Sequence, residues 1–191
     1  MIILILGLVL FLGVHSVRIV ADEWRTAKRA QLGEAKWKAA YSLLSLLGLV
    51  LIVWGFGQAR QQPVVLWTPP LAMRHLAALL TALAFILLTA KDIPRNGIKA
   101  RVHHPMLLGV KVWALAHLLA NGKLHDVLLF GSFLAWAIVC FRAARRRDMV
   151  EGTVYPAGTT GATVTTVVAG LAGWAVFAFV LHGWLIGVRP F

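Results

Sequence analysis

One cysteine, Cys140, is all the chain has, which excludes an intrachain disulfide and a thiolate metal cluster. Acidic side chains are also scarce: seven Asp and Glu stand against nineteen Lys and Arg in 191 residues. No apolar segment carries a pair of carboxylates, so acid–base work by Asp or Glu has nowhere to sit within them. No internal repeat and no glycine-rich phosphate loop can be found. Charged residues of both signs reach only 14%, where a soluble domain carries about a quarter.

What fills the chain instead is hydrocarbon. Sixty per cent of the residues are hydrophobic and the mean hydropathy is +0.79. The excess lies in blocks rather than in an amphipathic period, the pattern of lipid-facing helices. Six segments stand out: Ile2 to about Val20, Ala39 to Gly57, Leu71 to Ala90, Pro105 to about Asn121, Leu124 to Phe141, and one within Thr163 to Val188. A helix needs roughly 20 residues to cross the hydrocarbon core, with about 17 as the lower limit. The fourth, at 17 residues, only just qualifies. Its ends are well marked, since Pro105 suits a first helical position and Gly122 a stop. The first segment has no basic region before it and no small-x-small site after it, so it reads as a retained helix. The expected fold is all-α, an integral membrane bundle of about six transmembrane helices.

The basic residues set the orientation. Six lie between segments one and two, from Arg18 to Lys38. Four follow segment three (Lys91, Arg95, Lys99, Arg101), and four follow segment five (Arg142, Arg145, Arg146, Arg147). Opposite them stand only Arg60, Lys123, Arg74 just inside segment three, and Arg189, with Lys111 inside segment four. The positive-inside rule places both termini outside, the periplasm of a bacterium whose inner membrane holds the chain. An even number of spans agrees. Topology therefore accounts for the formal charge of +12, and nucleic acid drops out as a partner.

The connections hold no second folded domain. Asp22 to Lys38 mixes both signs of charge with Trp24 and Trp37, and reads either as an interfacial amphipathic helix or as a solvated loop. Gly152 to Thr166 is rich in Gly and Thr and reads as a linker to the last span.

Histidine is the ionisable residue the spans do contain. His15, His75, His104, His117 and His182 lie in or at the edge of the bilayer, where an unsatisfied group costs a few kcal/mol. Each is either a haem ligand or a neutral ring bonding a neighbouring carbonyl. On segment one, Gly7, Phe11 and His15 share a face, with Arg18 a turn beyond. The glycine and the aromatic give room and stacking for a flat macrocycle, and Arg18 a partner for its carboxylate. Gly109, Trp113, His117 and Asn121 repeat the stripe on segment four. For the glycines, tight helix packing is the favoured reading; for the two histidines, ligation is. His103 and His125 suit interfacial or capping roles, His182 an amphipathic anchor among Trp174, Phe179 and Trp184, and Cys140 a buried structural thiol.

Three strings carry a resemblance: Gly13 to Arg18 (GVHSVR), His104 to Gly109 (HPMLLG) and Trp113 to Gly122 (WALAHLLANG). The chain resembles the NnrU family of bacterial membrane proteins over about residues 1–156, as a five-span domain. Residues 157–191 then form a linker and a sixth helix. The resemblance implies a role in nitrite and nitric oxide reduction, the chemistry of denitrification. It also implies kinship with the plant 15-cis-zeta-carotene isomerase, a membrane enzyme with a b-type haem. Carried onto this chain, that kinship makes His15 and His117 the iron ligands, with His104 and His75 as matching histidines. A further isomerase histidine has no counterpart here, where the chain reads Trp136, Ala137, Ile138.

Depth pulls another way. His117 stands thirteen residues beyond His104, roughly 20 Å along a helix. Depth alone pairs His15 with His104 and His117 with His75, and admits a second haem. Two other functions stay open. One is a non-enzymatic assembly or haem-supply factor for a nitrogen-oxide reductase. The other is a membrane methyltransferase using S-adenosylmethionine, which the HP pair and a following glycine resemble. The acidic pair expected there is replaced by Arg145, Arg146, Arg147 and Asp148.

Overall fold

The computed structural model describes residues 1–190; Phe191, the last residue of the C-terminal segment, lies outside them. The described residues are helical, with two isolated bridges, Val65–Lys123 and Asn96–Thr159, as the only extended pairings among them. Helix α1 (Ile2–Val20) breaks at Ala21, and α2 (Asp22–Leu32) starts at once with Asp22 and Glu23 in its first turn. Acidic groups there favour the positive end of the helix dipole. Gly33 then interrupts, and α3 (Glu34–Ala59) runs on. The segment expected as one interfacial stretch to Lys38 is thus divided. Its first part is the separate helix α2; Glu34 to Lys38 open the next span, whose Trp37 ring meets Trp24 edge-on at 6.0 Å.

Pro69 and Pro70 precede α4 (Leu71–Asp92), where missing N–H groups cost nothing. Asn96 is 1% exposed and organises the return. Its amide donates to the carbonyls of Ala90 (2.9 Å) and Ile93 (2.6 Å), while its oxygen caps α5 (Gly97–Val102) from the Lys99 N–H at 2.7 Å. Helix α6 (Pro105–Ala120) begins with the expected proline and ends at Asn121, whose extended backbone stops it one residue before Gly122. Helix α7 (Leu124–Glu151) runs ten residues past the expected apolar span and carries Arg142 to Asp148 as helix. Helix α8 (Thr160–Val176), capped by the Thr159 hydroxyl, passes through a π-helical stretch (Phe177–Leu181) into α9 (His182–Ile186).

Among the described residues five helical runs are long and apolar enough to cross a membrane, and α6, at 16 residues, is a shorter apolar helix. The chain divides into two compact units. One holds Met1–Trp67 and Lys123–Trp136; the other holds Thr68–Gly122 and Ala137 onward. In the first unit, α1 and α3 meet backbone to backbone: a Cβ on Gly7 would stand 2.6 Å from the Ile52 nitrogen, and one on Gly55 would strike the Leu4 backbone. With no water to expel between helices in lipid, such close van der Waals contact is what holds them. Leu4, Leu8 and Ile52 form the core there, with Phe11, Phe56 and Phe133 against it. In the second unit α4 packs on α6 and α8.

Candidate functional site

The same local device orients two of the predicted histidines. His15 Nδ1 lies 2.7 Å from the Phe11 carbonyl, and His117 Nδ1 lies 2.8 Å from the Trp113 carbonyl, each one turn back along its own helix. A carbonyl only accepts, so Nδ1 carries the proton in both, and the neutral ring turns its lone pair onto Nε2. A metal-binding imidazole needs this same arrangement. The aromatic side chain of that earlier residue also supports each ring. Phe11 stacks on His15 with centroids 4.3 Å apart, and Trp113 tilts against His117 at 5.1 Å.

The surroundings differ. In the first unit His15 is enclosed by rings, with Tyr41 edge-on at 5.3 Å and Trp136 edge-on at 6.2 Å. The Trp136 Nε1 is buried with no partner among the described residues, and Arg18 is exposed. In the second unit His117 borders a cavity of about 350 Å³, near the lower end of the roughly 300–1,000 Å³ usual for ligand sites. Helix α4 supplies Arg74, Ala78, Thr81 and Phe85 along one face, and α6 supplies Trp113, His117 and Asn121. The C-terminal segment brings Trp174, Phe177, His182 and Arg189. The Trp174 indole donates to the Thr81 hydroxyl at 3.1 Å, holding that wall.

The family model described as NnrU protein matches residues 3–190. The chain belongs to the NnrU family. No curated protein and no solved structure matches it. The match takes in the C-terminal segment that lines the cavity, beyond the residues 1–156 of the sequence resemblance. In this NnrU chain two backbone irregularities bring that segment in. The π-helical stretch closes an i→i+5 bond from the His182 N–H to the Phe177 carbonyl, so the two rings meet at 5.8 Å. Gly187 then takes φ 75°, a left-handed conformation that reverses the chain. Val188 returns to accept from His182 Nδ1 at 2.6 Å. His182 is therefore a third imidazole with Nδ1 fixed on a carbonyl, and it faces the cavity rather than serving only as an anchor.

The other candidates fall elsewhere. His104 ends a turn before α6, and its Nε2 lies 2.8 Å from the Asp148 carboxylate. Tyr155 donates to the same oxygen at 3.1 Å; burial first and then that bond raise its phenol above the ordinary value. His103 stacks on Tyr155 at 4.2 Å and contacts Arg145. The nitrogen of His104 that faces outward from the chain is thus already engaged. His75 is exposed beside Arg74 and does not line the cavity. Gly109 sits against Leu88 and the Ala84 carbonyl, where a Cβ would be 3.1–3.2 Å away. Lys111 places its ammonium 3.7 Å from the centre of the Phe141 ring, which accounts for a charge within a span.

His125 and Asp126, expected at an interface, are 2% and 6% exposed. Backbone pairing of Leu124 and Lys123 with Val64 and Val65 ties the preceding loop down beside them, and Phe56 meets the His125 ring edge-on at 5.1 Å. Among the described residues, no three of His, Cys, Asp and Glu converge as a metal cage.

Proposed function

We propose that this NnrU chain is a b-type haem protein of the bacterial inner membrane. Its work lies in nitrite and nitric oxide metabolism, or in haem-dependent redox or isomerase chemistry. The resemblance implies His15 and His117 as ligands. One observation carries the reading: both rings have Nδ1 tied to the carbonyl of residue i−4 and an aromatic at the same position, leaving Nε2 as the lone-pair nitrogen. The donor set suits a haem, which needs axial imidazole and flat apolar walls and, unlike zinc, no cage of protein ligands. His117 would hold iron, with Trp113 and Phe85 lining the same cavity, and His15 would do so with Phe11 and Tyr41 against it and Arg18 a turn further along α1. Bound there, the haem would supply one-electron or ligand-binding chemistry at iron. The protein's part is to orient the imidazoles and exclude water.

The methyltransferase alternative loses support from Asp148, whose carboxylate is taken up by His104 and Tyr155. The optical spectrum of detergent-purified protein, made with ample haem supply, tests the proposal: a low-spin b-type spectrum is expected in both oxidation states. Protein free of haem would hand the lead to the assembly or haem-supply reading. In that case deletion should lower nitric oxide reductase activity at constant reductase protein, with a reductase or electron donor as the partner. The orientation has its own test. Alkaline phosphatase fused at the C-terminus should be active and one fused between Asp92 and Arg101 inactive; the reverse pattern would overturn periplasmic termini.

A further inference from the structure

We infer that His182 is the second imidazole of the His117 cavity, and that Arg74 and Arg189 receive the carboxylates of the group bound there. This rests on the haem reading above and changes its ligand pair. Three observations lead to it. First, His117 and His182 line one cavity within one unit, together with Trp113, Phe85 and the two arginines. Second, both rings carry the same commitment: Nδ1 on a backbone carbonyl, at 2.8 Å to Trp113 and 2.6 Å to Val188, which fixes both in the tautomer with the lone pair on Nε2. Third, the chain departs from regular helix on either side of His182. The π-helical stretch lies before it and the left-handed Gly187 after it, and its ring and Arg189 both line the cavity. Such π insertions are often found at functional sites.

The alternatives to His182 lack this placement. His104 is bonded to Asp148, and His75 is exposed and outside the lining. His182 also removes the conflict over depth, because it and His117 both belong to the outer side of the bilayer in the expected topology. Two guanidiniums edging a mainly apolar cavity suit a ligand with two acidic groups, and arginine is the side chain suited to gripping carboxylates. A flat macrocycle bearing two propionates has that chemistry.

The test uses the full chain purified in detergent after haem-sufficient expression, as wild type and as His182→Gly, His117→Gly and His15→Gly. The inference expects His182→Gly and His117→Gly each to lose the low-spin spectrum and about ten-fold or more of the haem, the scale seen when a metal site's support is removed. Added imidazole should restore the low-spin form in His182→Gly, which a ring needed only for folding would not allow. A wild-type spectrum in His182→Gly with loss in His15→Gly would overturn the inference and leave the haem reading standing. Wild type without haem would sink both. Should all three variants lose haem, His182→Met decides. Retained haem at a raised potential supports ligation by residue 182, as a Met/His pair raises the potential; the unshifted wild-type potential rejects it.

Discussion

His15 and His117 begin from the same local geometry and end in different surroundings. Each is clamped to the carbonyl four residues back and leans on an aromatic at that position. Around His15 stand the rings of Phe11, Tyr41 and Trp136. Around His117 a cavity of about 350 Å³ is left open, edged by two arginines. The helix alone settles which nitrogen points outward; packing from distant segments settles whether anything fits against it. A motif of the form aromatic-xxx-His is therefore a statement about orientation, and room has to be established separately.

The largest effect should come from closing that room. Ala78→Phe puts a ring into the cavity and should lower haem content about ten-fold or more at unchanged or raised thermal stability, because filling a void is stabilising where the ring fits. Wild-type haem content in that variant would mean that the cavity is not where the ligand sits. Next, the filled and open surroundings should respond differently to loss of their aromatic. Phe11→Ala removes a ring packed on His15 and Phe133 and should cost about 3 kcal/mol, with Trp113→Ala, at the cavity edge, costing less than half of that. Denaturation in mixed micelles measures both; equal losses would break the contrast.

A smaller difference separates the glycines of the two stripes. Gly7→Ala forces a Cβ against the Ile52 backbone and should cost about 2 kcal/mol. Gly109→Ala meets the Leu88 side chain and the Ala84 carbonyl at 3.1–3.2 Å, a milder approach, and should cost about 1 kcal/mol. Smallest of all is Trp136→Phe, which removes a buried, unpartnered N–H and should leave stability within about 1 kcal/mol of wild type. A loss well beyond that, measured in the same micelles, would show that the indole nitrogen has a partner in the membrane.

The spans were legible because lipid demands long apolar runs, and Pro105 and the basic clusters mark where those runs end. The orientation of His15 and His117 was also within reach, since a residue and the carbonyl four back are local to one helix. His104 was not, because its partner Asp148 comes from α7, far along the chain. The burial of His125 goes with the backbone pairing of Val64 and Val65 to Leu124 and Lys123, which are distant in sequence. His182 was hidden by the π-helical stretch, which shifts the face that a regular helical period assigns to it, and by the reversal at Gly187. An aromatic-rich run ending in Gly-Val-Arg-Pro held the only hint of that return.

The bond between His182 and the Val188 carbonyl has a kinetic meaning as well. The strip from Val188 to Pro190 forms one wall of the cavity and has no helical hydrogen bonding of its own. The His182 side-chain bond holds it near the ring and is worth about 1 kcal/mol net. Segments of this kind move on the ns–μs scale, whereas α4 and α6 are held by helical hydrogen bonds along their length. A ligand held at Nε2 of His182 would also hold this wall, because the ring it fixes is the one bonded to Val188.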